Sequence, residues 1–267
     1  MGSDVRTAVI TGSSSGLGVA IALQMAQRGW RVSLGARRED RLLEVAADVR
    51  ERGGSAFAHA LDVTDEDSIE RFFEASEAAH GVADIVVNNA GVSRPGLLSG
   101  QDPAWLRTEV ETNLLGALLV TRRALIPMRA QGLTGDIVFM SSDSVRNPRP
   151  LQVTYGATKA ALENLSDGLS LELEGTGIRC TKIRIGPAVS EFGAAWAGVD
   201  PQVMEQTFAG WRRAALRDAR TGGVLLPAEV VAQAVVYAVE QPRGVLVDTV
   251  EIQPEVPVGV AAPEEGS

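Results

Sequence analysis

The chain has 267 residues, 45% of them hydrophobic, and carries a net charge of -9. That is enough apolar material for one buried core, it is short for two ordinary domains, and an acidic field without a Lys/Arg stripe excludes nucleic acid as a first reading. A single cysteine, Cys180, excludes an internal disulfide, and no apolar run reaches the ~18 residues a membrane span needs.

Strand-like and helix-like segments then alternate. Val5–Thr11 reads as a short strand that stops at glycine, and Gly16–Gly29 as a helix with Leu17, Ile21 and Met25 on one face. Arg31–Ala36 is a second strand. Glu39–Arg52 places Leu42, Leu43, Val45, Ala46 and Val49 at helical spacing and halts at Gly53-Gly54. Ser55–Leu61 is a strand, Asp65–His80 a helix with Thr64 as its N-cap, and Asp84–Val87 a strand. A helix through Ala104–Gln131, a strand at Asp136–Ser141, a helix at Thr154–Glu174 and a strand at Ile178–Ile185 repeat the pattern. After an irregular stretch, Gly186–Leu226, come a helix at Pro227–Glu240 and a strand near Val245–Ile252. This alternation predicts an α/β fold, a doubly wound parallel sheet with helices on both faces. One domain is expected over 1–253, with a lid over about 190–226 and an exposed tail at 254–267. The N-terminus lacks the apolar stretch of a signal peptide, and with the lone cysteine this predicts a cytoplasmic protein.

Thr11-Gly12-Ser13-Ser14-Ser15-Gly16-Leu17-Gly18 stands where the first strand hands over to the first helix. Glycines let the backbone turn tightly and approach a ligand, and the helix N-terminus offers free N–H groups to a pyrophosphate. Gly12, Ser13, Ser15, Gly16, Leu17 and Gly18 are therefore candidate cofactor contacts, although the spacing is Gly-x3-Gly-x-Gly rather than Gly-x-Gly-x-x-Gly. In a dinucleotide fold the end of the second strand selects the ribose: an acid suits the 2′-OH, an Arg the 2′-phosphate. Here that strand runs into Arg37-Arg38, which predicts NADP, while Glu39 and Asp40 leave NAD as the alternative.

Tyr155 and Lys159 lie four apart at a helix start, so their side chains share a face. A free phenol titrates near 10, and a neighbouring cation lowers that value, so the pair could work as an acid/base. Ser141-Ser142 ends the preceding strand and Asn88-Asn89-Ala90-Gly91 the fourth, both at the carboxyl edge where a doubly wound sheet presents ligand groups. His59 and His80 lack neighbours at metal-ligand spacing, so no metal is expected.

Taken in order, Thr11–Gly18, Asp62-Val63, Asn88–Gly91, Asn113, Ser142 and Tyr155 with Lys159 resemble the short single-domain branch of the short-chain dehydrogenases/reductases, from about Val5 to Ile252. Ser142 precedes Tyr155 by thirteen residues, the spacing usual in that family. The resemblance implies a Rossmann-type sheet of about seven strands and a homodimer or homotetramer. It implies that Tyr155 exchanges a proton with the substrate oxygen, that Ser142 hydrogen-bonds that oxygen, and that Lys159 lowers the Tyr pKa and holds the nicotinamide ribose. Asn113 would interrupt its helix and hold a water linking Lys159 to solvent. Asp62 and Val63 would contact the adenine, and Asn89, Ala90 and Gly91 would flank the adenosine ribose and nicotinamide side. The chain departs from the family after the sixth strand, where Pro-Gly and then Thr are usual. Here the order is Gly186-Pro187-Ala188-Val189-Ser190. Ser190 either supplies the hydroxyl for the nicotinamide amide or that contact is lost, and Pro187 and Val189 count with it as cofactor neighbours.

The function so implied is NADP-dependent hydride transfer between nicotinamide and a small-molecule ketone or secondary alcohol. The alternative is a catalytically silent NADP-binding sensor or scaffold. An epimerase or dehydratase on nucleotide sugars would need more C-terminal chain. Specificity is expected from Ser93–Leu98, Ser144–Gln152 and Ser190–Leu226. Phe192, Trp196, Phe208 and Trp211 in the last segment suggest a bulky or hydrophobic substrate.

Overall fold

Runs rich in Val, Ile and Ala cannot be solvated on either side, and they form the centre of a seven-stranded sheet. In the computed structural model, which describes residues 5–189, 196, 199–207, 209 and 225–255, the strands are β1 (Thr7–Thr11), β2 (Arg31–Ala36), β3 (Ser55–Ala60), β4 (Ile85–Asn88), β5 (Gly135–Ser142), β6 (Ile178–Ile185) and β7 (Thr249–Ile252). Their order is β3-β2-β1-β4-β5-β6-β7, and every neighbouring pair is parallel. The Rossmann-type architecture expected from the sequence is thus present.

Among the described residues the helices include α1 (Gly16–Gln27), α2 (Glu39–Glu51), α3 (Glu66–His80), α4 (Pro103–Val110), α5 (Gly116–Ala130), α6 (Val153–Glu172) and α7 (Ala228–Glu240). Strand side chains alternate between faces. Val138 and Met140 of β5 join a core with Ile21 of α1, Leu42 of α2 and Val235 of α7. Ile137 and Phe139 join the opposite core with Phe72 of α3, Val120 of α5 and Leu162 of α6. Cys180 lies in the second core, and burial pushes its thiol up to about 12, so it is inert at neutral pH.

Three local expectations change. Asp65, not Thr64, caps α3: its carboxylate accepts from the Asp67 N–H, while the Thr64 hydroxyl donates to Asp62 at 2.7 Å. The helix expected through Ala104–Gln131 is α4 and α5 joined by a π-turn over Glu111–Leu115. The last strand is confined to Thr249–Ile252, because the Val245 carbonyl is taken by the Arg179 side chain at 2.7 Å. The sheet order reverses between β1 and β4, which opens a crevice at their carboxyl ends.

Candidate active site

The glycine-rich turn is built by steric necessity. Gly12 has a φ of +66°, and a Cβ on Gly18 would lie 2.4 Å from the Gly12 carbonyl oxygen. Ser13 directs both its hydroxyl (3.4 Å) and its N–H (3.3 Å) to the Gly35 carbonyl. Its side chain therefore ties β1 to β2. Asn89 is used in the same way: its amide donates to the Thr11 carbonyl at 2.9 Å and to that of Gly12 at 3.2 Å. The N–H groups of Asn89 and Ala90 both donate to the Thr11 hydroxyl at 3.0 Å. Consecutive asparagines at the end of β4 are thus a brace across the crevice; the preceding one, Asn88, donates to Thr121 at 2.9 Å.

What remains open to a ligand is the first turn of α1. Ser15 makes no side-chain cap there and no acidic residue occupies the turn. Uncapped N–H groups at the positive end of a helix dipole, around Ser15, Gly16 and Leu17, fit a pyrophosphate. The Arg38 guanidinium lies across this turn, donating to Ser14 at 3.1 Å and Ser15 at 2.7 Å, and Arg37 is exposed beside it. Two cations at the end of β2 fit an added phosphate. Asp62 is turned to Thr64, and Val63 is buried against Gly116 at the start of α5, where a Cβ would come within 2.7 Å of it.

On the other side of the crevice, Ser142 ends β5 and Tyr155 and Lys159 face it from the first turns of α6. The Lys159 ammonium lies 5.7 Å from the Tyr155 ring centre and donates to the Met140 carbonyl at 2.7 Å. Burial pushes Lys159 down to about 8. Tyr155 moves the opposite way, up to about 12, because burial outweighs the lowering by a hydrogen bond from Ser142. Lys159 is expected to lower Tyr155, and burial of the phenol acts against that lowering. The ammonium gives one of its three protons to the Met140 carbonyl.

Asn113 sits in the π-turn, as the interruption expected of it requires. Its amide donates to the Val92 carbonyl at 2.9 Å and to the Thr158 hydroxyl at 3.2 Å, and its oxygen accepts from the Val92 N–H at 2.7 Å. It fastens the loop after β4 to α6, and Gly91 lies between it and Lys159: a Cβ there would stand 3.3 Å from Asn113 Oδ1 and 3.6 Å from Lys159 Nζ. After β6, Pro187 and Val189 form a short ladder with Leu226 through bonds of 2.8 and 2.9 Å. Ser190 lies outside the described residues, as do Phe192, Phe208 and Trp211. Trp196 is described, and its indole donates to the Ser93 carbonyl at 3.0 Å.

Sequence reading did not single out the polar groups around Tyr155, although Arg149 and Gln152 fall in the Ser144–Gln152 segment expected to set specificity. Asp143 is buried directly after Ser142 and accepts from Arg149 at 2.5 Å. Glu109 of α4 is buried and accepts from the Arg94 N–H at 2.6 Å, and burial raises its carboxyl above the usual range. Gln152, also buried, donates to Ser93 at 3.2 Å. Only Glu109 had a signal, four residues before Asn113 on the same helical face; the Asp143–Arg149 pair follows no periodicity. The backbone before α6 is strained as well, since Leu151 holds a φ of 66°.

Residues 6–197 match the short chain dehydrogenase family. A short chain dehydrogenase of Pseudocercospora fijiensis is 34% identical over 71% of this chain and 62% of its own. The human dehydrogenase/reductase SDR family member 11 is 32% identical over 93% of this chain and 94% of its own. Among solved structures, the alcohol dehydrogenase of the archaeon Thermococcus sibiricus complexed with 5-hydroxy-NADP superposes with a TM-score of 0.78 at 28% identity, covering 94% of this chain and 97% of that one. On matches of this extent the chain belongs to the short chain dehydrogenase family.

Proposed function

We propose that this dehydrogenase moves a hydride between NADP and a ketone or secondary alcohol, with Ser142, Tyr155 and Lys159 handling the proton. The observation that carries the reading is the convergence of these three side chains at the carboxyl edge of the sheet, beside the crevice under the glycine turn. A bound nicotinamide dinucleotide supplies the hydride. The protein's own residues do the rest. The first turn of α1 holds the pyrophosphate. Arg37, with Arg38 drawn over Ser14 and Ser15, favours a 2′-phosphate, in keeping with the NADP analogue in the Thermococcus enzyme. Ser142 orients the substrate oxygen. A phenol held up at about 12 stays protonated through the neutral range, which suits Tyr155 as the acid of carbonyl reduction.

A bulky apolar substrate, suggested by the aromatic residues of 190–226, draws no support from the described lining, which is polar at Glu109, Asp143, Arg149 and Gln152. We further take the chain to be a cytoplasmic homodimer or homotetramer. Leu115, Leu118 and Ile126, exposed along the π-turn and α5, support self-association; the reading of residues 1–253 as one domain stands on the continuous sheet.

The test is oxidation of NADPH, with NADH in parallel, against ketones, keto-esters, quinones and small charged carbonyls. Tyr155→Phe should lower kcat about 10²–10⁴-fold while NADPH binding persists. A Tyr155→Phe enzyme turning over at the parent rate would remove the acid from Tyr155. Tight NADPH binding with silence across the panel would favour the sensor reading.

A further inference from the structure

We propose that Asp143 and Arg149 are a positioning pair that governs the Ser142 hydroxyl, keeping its proton available to the reacting oxygen and to Tyr155. The inference rests on the reading of Ser142 and Tyr155 as the reacting centre. Asp143 leaves β5 directly after Ser142, and the Ser142 hydroxyl approaches Asp143 Oδ1 at 3.4 Å while accepting from the Ser144 N–H at 3.2 Å. A contact of 3.4 Å is long for a hydroxyl facing a carboxylate, where 2.5–2.7 Å is usual. The reason lies at the other oxygen. Arg149 donates to Asp143 Oδ2 at 2.5 Å, and both side chains are largely buried, at 13% and 6% exposure. The charge of the carboxylate is already engaged. Pro148 and Pro150 flank Arg149 and restrict the backbone that presents it.

Without Arg149, a buried carboxylate one residue from Ser142 would draw more strongly on that hydroxyl, already within 3.4 Å of its Oδ1. Ser142 would then offer lone pairs, not a proton, to the reacting oxygen. The same two charges act on the phenol: Asp143 holds Tyr155 up and Arg149 draws it down. The other groups facing Tyr155 among the described residues are Glu109 from α4, which also raises it, and Lys159 from its own helix. Neutralising both members of the pair removes both effects, so the double variant should resemble the parent.

The chain has two tyrosines. Tyr237 is exposed on α7, so in a Tyr237→Phe background tyrosinate absorbance reports Tyr155 alone, without need of a substrate. With NADP⁺ added, Arg149→Met should move the Tyr155 midpoint up, Asp143→Asn should move it down, and Asp143→Asn/Arg149→Met should return it toward the parent. Arg149→Lys, which keeps the charge, should stay close to the parent. With whichever carbonyl of the panel is reduced fastest, Arg149→Met should lose kcat about tenfold at unchanged KM for NADPH, and the double variant should recover it. Midpoints unmoved in both single variants, or moved the same way in both, would overturn the proposal and leave the pair a loop brace. Turnover surviving in Tyr155→Phe would overturn the reading of the centre itself, and the absorbance titration is scored separately from it.

Discussion

Lys159 brings an ammonium into a position where it is 4% exposed and donates to the Met140 carbonyl. Burial lowers its pKa from 10.5 to about 8. A depressed folded value means the folded state resists the charged form, so this group opposes folding below about pH 8 and ceases to as pH rises toward its unfolded value. Lys159→Met should therefore be more stable than the parent at pH 7, by about 2 kcal/mol, with the gap closing toward pH 10.5. Urea unfolding at several pH values measures it, and a Met variant less stable throughout would show that the ammonium is not a burden. The same substitution should abolish turnover. At the cofactor end, Arg37 is exposed and makes no hydrogen bond or ion pair among the described residues, whereas Arg38 holds the serines of the turn. Arg37→Ala should raise KM for NADPH roughly 10-fold or more, one charge-assisted contact's worth, and leave KM for NADH nearly unchanged; equal effects on both cofactors would remove the 2′-phosphate role.

At the scale of elements, caps and interruptions decide where side chains arrive. The carboxylate of Asp65 satisfies the Asp67 N–H at 3.0 Å, so Asp65→Ala should cost about 1 kcal/mol, read as a lower unfolding midpoint with unchanged kinetics. Thr64→Ala should do less, because its hydroxyl serves Asp62 rather than the helix end. The π-turn over Glu111–Leu115 adds a residue to the winding and brings Asn113 to the loop after β4. Helix α6 is pinned behind the site by Glu163, which accepts from Arg184 at 2.9 and 2.6 Å and from Ser141 at 2.6 Å. That buried clamp joins α6 to β5 and β6 one helical turn beyond Lys159.

For the whole molecule, the two ends of the sheet divide the work. The carboxyl ends of β1, β4 and β5 carry the turn, the brace and the proposed acid/base group. The amino ends carry a buried ionic knot: Asp136 of β5, 1% exposed, accepts from Arg6 at 2.5 Å and Arg179 at 2.7 Å, and Arg179 reaches the carbonyls beyond α7. Removing one member of a buried pair leaves its partners uncompensated, so Asp136→Asn should cost about 3 kcal/mol. Calorimetry should then show a fall in Tm of roughly 6–12 °C, while kcat and KM stay near parent values. A loss of activity without a loss of stability would contradict this division of the sheet.

Much of this was readable before any coordinates. The alternation of strand and helix periods specified a parallel sheet covered on both faces. The glycine spacing located the turn, and the four-residue step from Tyr155 to Lys159 put both on one helical face. These are local geometries, and a chain writes local geometry in its periodicity. The tertiary structure decided what periodicity does not encode. It gave Ser13 and Asn89 partners across the strand ends and set the Lys159 ammonium against the Met140 carbonyl. It buried the Tyr155 phenol, which pushes its pKa up, and it folded Arg149 back onto Asp143. Each depends on burial or on partners distant in sequence or fixed by a loop's path. Desolvation and charge pairing are properties of the assembled volume, so no run of residues states them in advance.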